Sequence, residues 1–133
     1  MDDNTINPKE ILRAATRILL IDWPNIDVPG ILLEEGFIVY CYSPDKYTRV
    51  EKSTKQGHLI FRELDGTPGQ LDIVNVYRPE QEHIDILSKH VLPFGATVLW
   101  LEPPIISRKT RELAVEHGLK FVEGISISEV ART

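Results

Sequence analysis

The chain has 133 residues, 42% of them hydrophobic, which suits one domain with a packed core. A formal charge of −5 argues against a general nucleic-acid surface, since phosphate backbones demand clustered Lys and Arg, and the one basic cluster, "KYTRVEKSTK", is broken by Glu51. The single cysteine, Cys41, leaves no internal disulfide framework. The apolar run "ILLI" is shorter than the ~7–15 residues of a signal-peptide core or the ~20 of a membrane span, so a cytoplasmic protein with neither nucleic-acid nor membrane partners is expected.

Residues 1–16 are expected to supply a leading helix. In "NPKEILRAAT" Ile11, Leu12 and Ala15 share a face, Pro8 suits a first helical turn and Asn7 is its cap. "RILLID" is a continuous apolar run of strand length, as in a parallel sheet buried on both faces. "PGILLEEG" reads as a helix with Asp27 as candidate N-cap and Gly36 as its stop. "FIVYCY" is a second strand, ended by the turn "SPDK". Residues 43–70 read as an irregular segment, with "HLIF" a short strand or helical turn and "DGTPGQ" a loop. Then follow the strand "LDIVNVY", a helix over "PEQEHIDILSKHVLP" with Ile84, Leu87 and Val91 on one face, the strand "ATVLWL", the helix "SRKTRELAVEHG" and the strand "LKFVEG". Strands of this length alternating with helices predict an α/β fold, a Rossmann-like three-layer, doubly wound sheet of about five mainly parallel strands, within a single domain over 1–133.

From residue 71 onward the spacing resembles a known family. Tyr77, Arg78 and Pro79 close one strand, Gly95, Ala96 and Trp100 mark the next, and Ala114, Gly118, Leu119 and Val122 run through the last helix and strand. In this order they look like the small CoA-binding proteins, similar to the N-terminal CoA-binding domain of the succinyl-CoA synthetase alpha subunit. Ser43 and Pro44 resemble the family's Asn-Pro step beside the cofactor. Three departures cluster where the cofactor would sit. "IDWPNIDVPG" keeps only the final glycine of the phosphate loop, Glu102 replaces a glutamine, and Ser126 stands nearest a position that is commonly cysteine.

The resemblance implies CoA, or a related nucleotide, as cofactor, with Asp22, Trp23, Asn25, Val28 and Gly30 in the loop, Ser43 and Pro44 beside the nucleotide, and Tyr77, Arg78 and Glu102 at the strand ends. The loop's own chemistry opposes a phosphate. Prolines 24 and 29 lack N–H donors, Asp22 and Asp27 bring negative charge, and a capping Asp27 would occupy the amides that a phosphate uses. Trp23 either stacks on a base or fills a vacated pocket. Glu102 is an outward-facing loop charge or a substitute hydrogen-bonding group, and Arg78 meets an anion or pairs with a neighbouring glutamate. Trp100 and Cys41, within apolar strands, read as core.

His58, His83, His90 and His117 show no metal-ligand spacing, and no Ser-His-acid or "G-x-S-x-G" constellation is visible. The expectation is therefore a non-catalytic binder of CoA, acyl-CoA or a nucleotide. The alternative is a degenerate family member that has lost the cofactor and acts as a protein-interaction or structural module, with a homo-oligomer or another protein as partner.

Overall fold

The computed structural model describes residues 7–43, 45–54 and 57–133. Helix α1 (Pro8–Arg13) starts as the sequence suggests, with the Asn7 side chain accepting from the amides of Lys9 and Glu10. It is followed by β1 (Arg17–Ile21), α2 (Asp27–Glu34) and β2 (Ile38–Tyr42). Strands β3 (Tyr47–Lys52), β4 (Leu59–Glu63) and β5 (Ile73–Val76) come next. A composite helical stretch then begins with a 3₁₀ turn (Glu80–Glu82), continues as α3 (His83–Ile86), widens into a π-helical turn (Leu87–Val91) and closes with a 3₁₀ turn (Leu92–Phe94). Strand β6 (Val98–Leu101), α4 (Arg108–Glu116), β7 (Lys120–Val122) and α5 (Ile127–Arg132) complete the chain.

The strands form one sheet in the order β4-β3-β2-β1-β5-β6-β7. Strands β2, β1, β5, β6 and β7 are parallel and are the five expected from the apolar runs. The other two come from the segment expected to be irregular, where β3 runs antiparallel to β2 and β4 antiparallel to β3. "YTRVEK" and "LIFRE" mix charged with apolar residues and show no unbroken apolar run, which hides the strands behind a polar surface; Val50 opposite Phe61 is their apolar pair, and Arg62 binds Glu51 across the hairpin at 3.1 Å. Helix α5 was not anticipated either.

Alternation along each parallel strand divides the core in two. Ile18 and Leu20 of β1, Val39 and Cys41 of β2, Ile73 and Trp100 pack under α1, α2 and α5 through Leu12, Leu32, Ile127 and Val130. Leu19 and Ile21, Val74 and Val76, Leu99 and Leu101 pack on the opposite face beneath Ile86, Leu87, Val91 and Ala114. Trp100 is fully buried, and its indole N–H donates to the carbonyl of Ile125 at 2.9 Å, fixing the approach to α5. Ile84, expected on the apolar face with Leu87 and Val91, is 64% exposed, and His83 takes the inward position. The helix reaches residue 84 after a 3₁₀ turn, which shifts its phase relative to an ideal helix drawn from Pro79. No helix among the described residues is long and apolar enough to cross a membrane.

Leu20 lies at the centre of the sheet with no exposure. Replacing it with alanine is expected to cost about 2–5 kcal/mol in urea unfolding, whereas Ile84→Ala stays within about 0.5 kcal/mol; equal losses at the two sites would contradict the assigned faces.

Candidate functional site

Strand β1 has β2 on one side and β5 on the other, so the chain leaves it in opposite directions and a crevice opens at the C-terminal strand ends. A cleft of about 290 Å³ occupies this place, lined by Ile21, Asp22, Tyr42, Ser43, Arg78, Glu82, Asp85, Ile86, Lys89 and His90. Asp22 leaves β1 with a left-handed backbone, φ 61°, a region that Asp tolerates better than most residues. Its carboxylate accepts from the Ser43 hydroxyl at 2.7 Å and from Arg78 at 2.9 Å. Arg78 also donates through two nitrogens to Glu82, at 3.0 and 2.7 Å. These bonds hold Glu82 below the usual carboxylate range and keep Arg78 more firmly protonated than a free guanidinium.

Three of the sequence-derived candidates, Asp22, Ser43 and Arg78, thus meet in one cleft. Six others lie outside it. Trp23 is half-buried and stacked on Phe61 of β4, with ring centres 5.5 Å apart, so a protein ring occupies the face that a base would need. Asn25 is exposed, Val28 is buried in the core, and Gly30 faces Leu59 of the hairpin rather than the cleft. Tyr77 is half-buried just beyond β5, its amide donating to Ile21. Pro44 lies outside the described residues.

The start of α2 departs from the expected cap. Asp27 is the first helical residue, and Asn25 serves the helix instead: its side chain accepts from the Asp27 amide at 3.0 Å and its carbonyl from the Val28 amide at 3.3 Å. Pro29 has no N–H, and the Gly30 amide binds the Ile26 carbonyl. From Asp27 to Gly30, no amide is left to face an anion.

Glu102 is not an outward-facing loop charge. It is 2% exposed; one carboxylate oxygen accepts from the Asn75 side chain at 3.0 Å and the Ile127 amide at 3.1 Å, and the other from the Ser126 hydroxyl. The carboxylate therefore joins β5 and β6 to the start of α5. Asn75 keeps one buried oxygen without a partner among the described residues. Among the histidines, His83 is buried, with one ring nitrogen on Thr110 and the other on the Arg78 carbonyl, so it ties α3 to α4 and to the floor of the cleft. His90 sits in the cleft wall, 2.5 Å from the Tyr47 hydroxyl and against the ring of Tyr42. Burial, and then the neighbouring Lys89, keeps its pKa below the ordinary histidine value; burial beside Tyr42 pushes Tyr47 up to about 12. Spacing between histidines could not reveal this pair, because its partner comes from β3. The Cys41 thiol is buried, and desolvation holds it protonated. Among the described residues no group of three or more His, Cys, Asp or Glu is placed to hold a metal.

Glu102→Ala is expected to destabilise the fold by about 1–3 kcal/mol for each buried donor it orphans, read by chemical unfolding; a loss under 0.5 kcal/mol would mean that the buried carboxylate holds nothing. A separate expectation concerns pH. Because His90 titrates lower folded than unfolded, the unfolded chain takes up the proton first, so its contribution is complete above about pH 6.5 and is lost as pH falls toward the folded value. Melting curves between pH 7 and 5 should therefore fall less steeply in His90→Gln than in the parent; parallel curves would refute this.

Comparisons with known proteins agree with this architecture. The chain shares its fold with a protein described as PH1109 redesigned for binding, at TM-score 0.72 and 20% identity, covering 97% of this chain and 92% of that one. A hypothetical protein from Pyrococcus horikoshii aligns at TM-score 0.67 and 18% identity over 99% and 94% of the two chains. A Thermus thermophilus protein aligns at TM-score 0.67 and 21% identity over 96% and 98%. The CoA binding domain family matches residues 23–128, from just after β1 to the start of α5. The chain belongs to the family of CoA-binding domains.

Proposed function

We propose that the protein is a non-catalytic binding module that holds CoA, an acyl-CoA or a related nucleotide at the C-terminal edge of its sheet. The observation that carries this reading is the position of the cleft at the point where the strand order reverses around β1, with Arg78 at its floor still 40% exposed. At about 290 Å³ the cleft has room for one end of a CoA-sized molecule, the rest lying along the outer surface. Family membership supports the ligand class. The engaged amides at the start of α2 argue that the diphosphate is not cradled there as in a glycine-rich loop. Binding without chemistry is favoured because the Cys41 thiol is buried and both ring nitrogens of His83 are occupied.

A second reading rests on those same engaged amides and on the two carboxylates that hold Arg78: the scaffold persists, the ligand is lost, and the protein acts through contacts with other chains. The ultraviolet spectrum of the purified protein, followed by thermal unfolding with CoA, ADP and NAD, separates the two. Ligand at 100 times its Kd should add about 2.7 kcal/mol of stability. No stabilisation by any of the three, and no excess adenine absorbance, would sink the binding reading. Where CoA does bind, Arg78→Ala should weaken it about tenfold or more, since a hydrogen bond to a charged group contributes about 1.5–3 kcal/mol and the variant also uncovers Asp22 and Glu82. An unchanged Kd would remove Arg78 from the site.

A further inference from the structure

The wall of the cleft formed by the π-helical turn carries a polar group that the ion-pair network does not use. Pro93 has no N–H to donate to the Lys89 carbonyl, so a regular α ladder cannot continue through this stretch. The chain widens instead, and the amide of Leu92 reaches back five residues to the carbonyl of Leu87. Such single wide turns recur at functional positions, where the extra residue re-aims side chains. Here Leu87 and Val91 stay buried against the sheet, while His90 stands half-buried in the cleft wall.

The imidazole is held from two sides. The ring of Tyr42 lies 4.3 Å from it, centre to centre, and the Tyr47 hydroxyl is 2.5 Å from Nδ1. A phenol is the better proton donor and a neutral imidazole nitrogen the better acceptor, so the hydroxyl gives the hydrogen and Nδ1 receives it. The ring proton then resides on Nε2, which has no hydrogen-bond partner among the described residues. The upward displacement of Tyr47 to about 12 and the downward displacement of His90 agree with both groups being neutral near pH 7. The charged and titratable groups that share this cleft are Lys89, Asp85 and Glu82 from the helical stretch, Asp22 after β1, Arg78 after β5, Tyr42 from β2 and, behind the ring, Tyr47 from β3.

This charge distribution selects the ligand group. The cleft has three carboxylates and two cations, and both cations are already paired, Arg78 with Asp22 and Glu82, and Lys89 with Asp85 at 3.1 Å. An incoming anion must displace a carboxylate to reach either cation and meets a carboxylate excess. A neutral acceptor meets a neutral N–H donor and apolar walls from Ile21, Ile86 and the Tyr42 ring. We infer that His90, held by Tyr47 with its proton on Nε2, donates to a neutral carbonyl oxygen of the ligand, an amide or thioester such as those of an acylated pantetheine arm. The inference rests on the reading of the cleft as the ligand site and assigns the uncharged part of a CoA-type ligand to the His90 wall of it.

Long-range nitrogen and carbon NMR of the histidine rings in the full chain tests the donor directly. The parent protein near neutral pH should show His90 neutral and protonated on Nε2, and Tyr47→Phe should lose that preference. Protonation on Nδ1, or an imidazolium near neutral pH, would overturn the assignment without reference to any ligand. Titration with CoA, pantetheine and ADP tests the acceptor. CoA and pantetheine should shift the Nε2 signal, and His90→Phe should weaken both about five- to tenfold while leaving ADP unchanged. His90→Gln, which restores an N–H near the same place, should recover part of the loss, and a matching thermal midpoint shows that each variant is folded. CoA binding that is indifferent to His90→Phe would overturn the inference and leave the proposed function standing; failure of CoA, pantetheine and ADP alike to bind the parent protein would overturn both.

Discussion

The cleft depends on one carboxylate. Asp22 follows β1 directly, and its two oxygens reach the residue that follows β2, Ser43, and the residue two beyond β5, Arg78. Three neighbouring parallel strands are thereby tied together at their C-terminal ends, where β-ladder hydrogen bonds stop. The left-handed backbone at Asp22 follows from this: the chain must turn sharply off β1 to point the carboxylate across both neighbours, and a short polar side chain bears that conformation at modest cost. A matching tie exists at the other edge, where the Asp72 carboxylate accepts from the amides of Thr16 and Arg17 at 2.8 and 2.9 Å. The central pair β1 and β5 is thus fastened at both ends, by Asp22 where the strands finish and by Asp72 where they begin.

The parallel sheet was legible in the sequence because its strands are buried on both faces and so stand out as unbroken apolar runs. "RILLI", "IVYCY", "IVNV" and "VLWL" need no alternation to be recognised. The hairpin β3–β4 lacked that signal. Its residues pair on the outer flank, and Val50 is the one fully buried position in either strand. Local pattern says little about a strand whose burial comes from one face of a neighbour and a tryptophan, Trp23, reaching over from the β1 loop to Phe61. Helix α5 was hidden for a related reason: six residues with two β-branched apolar positions are too short to show periodicity, and Glu102, a residue 25 positions before Ile127, supplies the acceptor for its first amide.

The site was legible in part, and its limits follow from the same physics. Arg78 and Ser43 were found because they sit at strand ends, which the alternation of elements locates. Glu102 follows β6 as expected but does not line the cleft, and its burial was not visible, since a glutamate beside two prolines looks like a loop charge until Asn75, Ser126 and Ile127 are seen to surround it. The Tyr47–His90 contact joins residues 43 positions apart on two elements that pack through the cleft, one of them in the segment whose strands could not be read. A π-helical turn has no sequence signature beyond the proline that ends it.

The closure of the family's phosphate position combines two features that differ in kind. At the start of α2 the closure is made mostly by the backbone: Pro29 has no amide to offer, and the amides of Val28 and Gly30 bind the carbonyls of Asn25 and Ile26, so moving the Asn25 side chain frees only the Asp27 amide. At Arg78 the closure is a latch. Its ion pairs to Asp22 and Glu82 lie at the surface, with 30–41% of each side chain exposed, and exposed pairs of this kind contribute about 0–1 kcal/mol each. A ligand can exchange for such a partner at little cost, although it cannot recover a missing N–H. The hydrogen-bonding side chains that this edge offers therefore stand after β5 and on the π-helical turn rather than at the helix terminus.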